Sequence, residues 1–139
     1  MSQLYLSTRK IRFSQCDPAG IVYFVHFFDM MSSVVEDWFD EIVGFSFQEM
    51  HLKQRYGFPI VNTGCEFFRP CVLGDQLVFE LAIARLGRSS IEFAVRGRVR
   101  DEEKFRARHK VAMMSLDTQR AVAVPEDLRT KMLPYVAAG

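Results

Sequence analysis

Only three cysteines occur in the 139 residues, Cys16, Cys65 and Cys71, an odd number without the paired spacing of zinc ligands. Neither a disulfide framework nor a structural metal cluster is expected from them. Long apolar runs are also missing: no uncharged stretch approaches the ~20 residues a membrane-spanning helix needs. The opening Met-Ser-Gln-Leu-Tyr carries neither the basic nor the apolar region of a secretory signal. Charge excess is missing too, with 18 Lys plus Arg against 17 Asp plus Glu and a net charge of +1, which argues against a general nucleic-acid binder. Ser/Pro linkers, low-complexity tracts and internal repeats are absent. These gaps define the expectation of a soluble cytoplasmic protein with reduced thiols, one domain over 1–139, and no nucleic-acid or membrane partner.

Phenylalanine is what the sequence has in excess, 13 of them in a chain that is 49% hydrophobic and 25% charged. That balance is globular, and the aromatic excess points to either an aromatic core or an aromatic ligand pocket. Charge is unevenly placed. Residues 21–52 hold six acids and no Lys or Arg, whereas residues 85–110 hold nine Lys or Arg and four acids. The basic stretch fits a solvated sheet face or a site for a small phosphorylated ligand.

Leu4 to Phe13 reads as a strand ending at Ser14-Gln15-Cys16, broken by Asp17-Pro18-Ala19-Gly20, where Pro removes a backbone donor and Gly permits a turn. Apolar residues then recur at Phe27, Met31, Val34, Val35, Trp38 and Ile42, the spacing of one helix face. Phe28, Met30, Phe39 and Val43 widen that arc, so this helix is expected to be cradled on several sides, with Gly44 as its stop. A shorter helical piece spans Phe47 to Tyr56. Four strand-like stretches follow, Ile60–Cys71, Gln76–Leu86, Ser89–Arg100 and Lys104–Leu116, joined by short turns. Strict alternation in the last two implies one packed and one polar face. Pro125 to Leu133 reads as a C-terminal helix. The fold class is therefore α+β, a curved antiparallel sheet of about five strands wrapped around one long central helix.

Chemistry concentrates between the first strand and that helix. Asp17 is either a turn former or helix cap, or a functional carboxylate. The backbone N–H groups at a helix start are unpaired donors at the positive end of the dipole. A carbonyl oxygen placed there is polarised, and a neighbouring carboxylate can attack that carbonyl or take a proton from water.

Asp17-Pro18-Ala19-Gly20-Ile21-Val22, followed by aromatic residues and the long helix, resembles the hotdog-fold acyl-CoA thioesterases of the 4-hydroxybenzoyl-CoA thioesterase family. The resemblance continues through Gly57-Phe58-Pro59-Ile60-Val61, the strands and Val124-Pro125, covering nearly the whole chain. It implies hydrolysis of a coenzyme A thioester. Asp17 matches the essential carboxylate, as nucleophile or general base. The backbone N–H of Phe24 matches the carbonyl-polarising donor, and Gly20 the glycine that lets the loop approach the acyl group. Neither metal nor cofactor is implied, because a thioester is already activated. Arg88 and Arg120 match positions where relatives present cations to the nucleotide phosphates, although each also fits an ordinary solvent-facing arginine. The family further implies active sites formed between subunits, hence a homo-oligomer, with a tetramer built as a dimer of dimers favoured.

Other residues carry weaker expectations. His26 either orients Asp17, contacts substrate, or packs in an aromatic cluster. Tyr23, Phe24 and Phe27, with Phe58, Phe67 and Phe68, line either an acyl slot or the core. Glu36 matters because a second branch of hotdog thioesterases uses an acid on the long helix, but here it falls on the polar arc. Cys16 adjoins Asp17 without support as a nucleophile, and His51 and His109 have no evident partner. An aryl-CoA ester such as 4-hydroxybenzoyl-CoA is the favoured substrate, with short or medium acyl-CoA possible. An acyl-carrier-protein thioesterase and a non-catalytic acyl-CoA-binding oligomer are the alternatives.

Overall fold

The computed structural model describes residues 2–137. Strand β1 (Tyr5–Lys10) is followed by the long helix α1 (Val25–Trp38), whose last turns widen to i→i+5 spacing over Phe39–Val43. Gly44 ends it in the left-handed conformation, φ 74°, the geometry for which glycine is suited. A short helix α2 (Phe47–Glu49), capped by the Ser46 hydroxyl and extended by a wide turn over Met50–Gln54, leads to β2 (Tyr56–Gly57). Then come β3 (Ile60–Phe67), β4 (Gln76–Leu86), β5 (Ser90–Val99), β6 (Glu102–Ala112), the short β7 (Met114–Ser115) and helix α3 (Glu126–Met132).

Five strands form one antiparallel sheet in the order β1-β4-β5-β6-β3, and β2 pairs with β7 in a separate ribbon. The central-helix architecture expected from the sequence is present. Period-two alternation places Phe79, Leu81 and Ile83 of β4, Ile91, Phe93 and Val95 of β5, and Phe105, Ala107, His109 and Val111 of β6 in the interior. Phe27, Met30, Met31, Val34, Val35 and Trp38 of α1 pack onto this face; Phe27 meets Phe105 at 5.3 Å between ring centroids and Trp38 meets Phe93 at 5.3 Å. Register shifts interrupt β3, β4 and β5, and such bulges bend a strand.

Several boundaries differ from expectation for local reasons. The first strand stops at Lys10, and Phe13–Gln15 forms a single 3-10 turn. The third stops at Phe67, because Arg69-Pro70 leaves the ladder, proline lacking a donor. Tyr56–Gly57 is strand rather than helix, since Arg55 ends the wide turn in the left-handed region at φ 60°.

The two sheet edges are treated differently. Beyond β1, the chain near the C-terminus continues the edge of β4, with Ala137 donating to the Ile83 carbonyl. At the other edge nothing covers β3 among the described residues, and all its residues except Cys65 are exposed, Ile60 and Val61 included.

Candidate active site

The loop from Cys16 to Val22 closes on itself and is stapled to the chain entering β4. Cys16 and Val22 form a bridge, the Tyr23 amide donates to the Gln15 carbonyl, and the Asp17 amide donates to the Ile21 carbonyl at 2.9 Å. Leu73 donates to Gly20 and Val22 to Cys71, fixing the loop against residues 71–73. Gly20 sits at φ +78°, and no atom lies within 4 Å of where a Cβ would stand. Its requirement is backbone conformation, and the space in front of it is open.

Asp17 is exposed at the tip of this loop. Its Oδ1 accepts from the amides of Ala19 (2.8 Å) and Ile21 (3.4 Å), so the turn-former role is real. No partner to Oδ2 is found among the described residues, so one oxygen holds the loop and the other faces out. The same division holds at the start of α1. The amides of Tyr23 and His26 donate to Gln15 and Tyr23 carbonyls, while among the described residues nothing accepts from the Phe24 amide. No side chain caps this end and no acidic residue lies in its first turn.

Beside the loop opens a cleft of about 600 Å³ lined by Ile21, Val22, Phe24, Phe67, Phe68, Arg69 and Pro70. Phe67 is its aromatic centre, with ring centroids 6.5 Å from Phe24, 5.3 Å from Phe27 and 6.5 Å from Phe28. Tyr23 and Phe24 are half-exposed. Phe27 is buried in the core and reaches the cleft only through Phe67. His26 is partly buried with its ring 6.1 Å from Tyr23, and no hydrogen bond joins it to Asp17 among the described residues. Glu36 is exposed on the outer arc of α1. The buried Cys71 thiol and that of Cys65 are both pushed up to about 11 by desolvation, which keeps them protonated and poorly nucleophilic.

Arg88 and Arg120 are exposed and lie away from this cleft. Arg88 is in the turn after β4, its carbonyl accepting from Val124; Arg120 follows β7, its carbonyl accepting from Ser115. The rest of the basic stretch divides. Arg96, Arg98 and Arg106 form a cross-strand ion-pair network with Glu80 and Glu103 on the outer sheet face. The hydrogen bond from Arg106 holds the Glu103 carboxyl below its usual range. Those three arginines therefore follow the solvated-sheet reading.

One polar pair had no assignment in the sequence. His109 is 2% exposed, and its Nδ1 lies 3.1 Å from Thr63 Oγ1 on the edge strand. Burial lowers its pKa, so it is neutral. The available signal was a histidine occupying an apolar slot in the alternation of β6.

Residues 11–132 match the thioesterase-like superfamily. The chain belongs to that family. This thioesterase-like chain is 30% identical over 129 residues to a 1,4-dihydroxy-2-naphthoyl-CoA hydrolase of Prochlorococcus marinus, covering 86% of this chain and 83% of that protein. With the protein of the same name from Nostoc punctiforme it shares 29% identity over 84 residues, 60% of this chain and 56% of the relative's length. Two solved structures share the fold. A 1,4-dihydroxy-2-naphthoyl-CoA thioesterase from Synechocystis superposes with a TM-score of 0.86 at 21% identity, covering 94% of this chain and 96% of that one. A Staphylococcus aureus protein solved in complex with CoA gives 0.89 at 18% identity, covering 97% and 85%. No helix of the thioesterase-like chain among the described residues is long and apolar enough to cross a membrane.

Proposed function

We propose that this protein is an acyl-CoA thioesterase with Asp17 as its catalytic carboxylate. The observation that carries the reading is the pairing of an exposed carboxylate oxygen on a rigid loop with an unclaimed helix N-terminal amide, both beside an aromatic cleft. The thioester carbonyl oxygen accepts from the Phe24 N–H, where the developing negative charge also meets the positive end of α1. Asp17 Oδ2 either attacks the carbonyl carbon or takes a proton from a water that does. Collapse of the tetrahedral intermediate breaks the C–S bond and expels the CoA thiolate; on the nucleophilic route this leaves an acyl anhydride on Asp17, which water then hydrolyses to free the carboxylate, and on either route the water oxygen ends in the product acid and a proton on the thiol. Gly20 leaves room for the acyl group, Tyr23 and His26 border it, and Phe27 supports the cleft from the core through Phe67.

An aryl acyl group is favoured by the cluster around Phe67, since rings stack on rings, and by the aryl-CoA names of the relatives. Arg88 and Arg120 hold the nucleotide phosphates, which guanidinium groups bind well. Because they lie far from Asp17 in one subunit, the site is completed by a second copy. The uncovered β3 is the surface for that copy: an eight-residue edge with exposed Ile60, Val61 and Phe67 invites strand pairing. Antiparallel pairing across it brings the Phe67 end of one subunit to the Ile60 end of the other. The expected assembly is a homo-oligomer, a tetramer as a dimer of dimers.

Thiol release from aromatic, short aliphatic and long aliphatic CoA esters tests the reading, with fastest release expected from aryl esters. Release from carrier-protein esters alone, weakened by salt, would move the assignment to a carrier-protein thioesterase. Stoichiometric binding without cleavage would make it an acyl-CoA binder.

A further inference from the structure

A second cavity, of about 320 Å³, opens at the end of α1 remote from Asp17. From Val25 to Gly44 the helix advances roughly 28 Å at ~1.5 Å per residue, so this cavity is separate from the cleft around Phe67. Its walls come from the chain just after α1, the wide turn and β2, the link between β6 and β7, and α3. Met113 and Leu128 are its buried apolar lining, and the half-buried rings of Phe45 and Tyr56 stand in its walls.

The polar groups around it are uncommitted. Glu49, Gln54, Asp127 and Lys131 also line the cavity, yet no side-chain hydrogen bond or ion pair of these four is found among the described residues. Lys131 Nζ lies over Gly44, 3.5 Å from where a Cβ would stand, at the negative end of the α1 dipole. Two carboxylates against one ammonium give the cavity a negative balance, which disfavours phosphate. Glu49 and Asp127 can only accept hydrogen bonds, whereas the Gln54 amide donates and accepts. A flat, uncharged ring with an amino edge meets these demands. Adenine is such a ring: a glutamine amide matches its amino group and N7 in bidentate fashion, and aromatic side chains stack on its face.

The backbone joins this cavity to the two arginines. The Val124 amide donates to the Arg88 carbonyl, the Met113 amide to Ser89, and the Val122 amide to Met113. The turn bearing Arg88 and the segment following Arg120 are thus both bonded to the cavity wall.

Resting on the thioesterase reading, we propose that this cavity binds the adenine base of the coenzyme A ester, whose phosphates lie outside it at Arg88 and Arg120. Phe45 and Tyr56 hold the face of the base, and Glu49, Asp127 and Gln54 read its amino edge. The thioester of that molecule lies at Asp17 of a second copy, because one subunit holds the two sites at opposite ends of α1.

The test compares benzoyl-CoA, or whichever ester is cleaved fastest, with its etheno-CoA counterpart on the full-length protein. The etheno bridge blocks the amino edge of adenine and keeps the ring face. In the wild type kcat/KM should favour the adenine ester by about tenfold, the worth of one hydrogen bond. The difference should lie in KM, since the base is remote from the reacting carbon. Replacing both carboxylates, Glu49→Ala with Asp127→Ala, should bring the ratio close to one; both side chains are exposed, so the melting temperature should hold. Tyr56→Leu should raise KM for both esters and keep their ratio. Equal KM values for the two esters in the wild type would overturn the cavity assignment and leave the thioesterase reading standing, as would a ratio that survives the double variant. Free CoA bound about tenfold more tightly than free etheno-CoA, with no thiol release from any ester, would overturn the thioesterase reading and leave the cavity assigned. Equal binding of the two free cofactors with no thiol release would overturn both.

Discussion

Asp17 and Arg88 stand at opposite ends of β4. The Asp17 loop is bonded to residues 71–73, just before the strand begins at Gln76, and Arg88 occupies the turn just after it ends at Leu86. At ~3.3 Å per residue they are separated by roughly 30 Å along one subunit. If Asp17 is the proposed carboxylate and Arg88 the proposed phosphate-binding cation, residues so placed serve one CoA ester only when they come from different copies.

Mixing variants impaired at the two positions therefore should restore activity toward a CoA ester. Arg88→Ala is expected to raise KM for a CoA ester while leaving a short pantetheine thioester unaffected, and Asp17→Asn to abolish most turnover. Hybrids refolded from the two variants carry one site with both residues intact. A rise in thiol release at low CoA-ester concentration above either parent supports the composite site; rates no better than the parents contradict it.

Gly97 and Phe105 give a stability prediction. A Cβ at Gly97 would lie 2.1 Å from the Phe105 ring, which itself is fully buried against Phe27 and Phe79. Gly97→Ala should destabilise by about 1–3 kcal/mol through overpacking, read as a lower urea midpoint. Phe105→Leu in the same chain should recover part of that loss, a coupling expected of residues in contact.

The pH dependence of folding should carry the signature of His109. Desolvation lowers its pKa in the native state, so below about pH 6.5 the unfolded chain takes up a proton that the native chain refuses. The unfolded state then binds more protons, so stability is lost as the pH is lowered, by at most about 1.4 kcal/mol per pH unit. The loss continues until the native ring also protonates. His109→Gln should flatten the urea midpoints between about pH 6.5 and 5; an unchanged slope would place the acid sensitivity elsewhere.

Much of the fold was legible because its signals are local. The alternation of β5 and β6, the apolar arc of α1 and the stop at Gly44 depend on neighbouring residues, and each appears where its pattern lies. The turn at Asp17 was legible for the same reason, since Asp17-Pro18-Ala19-Gly20 and the helix start are contiguous. Arg88 shows where such reading ends: the chain order does not say which end of the sheet a turn occupies, so its distance from Asp17 emerged only with the strand register. Thr63 and His109 are 46 residues apart and meet through β3–β6 pairing, a contact that spacing does not encode. Phe27 fits both a slot and a core by pattern, and its partners Phe67 and Phe105 place it in the core.

Substitution of Asp17 by Asn tests the central claim most directly. The amide side chain keeps a carbonyl oxygen to accept from the Ala19 N–H, so the loop and the melting temperature should be preserved, while the carboxylate is lost. Against the best CoA ester, thiol release should fall by about 10²- to 10⁴-fold, the range for loss of a positioned acid–base group. An Asp17→Asn protein that folds normally and releases thiol at close to the wild-type rate would contradict the account.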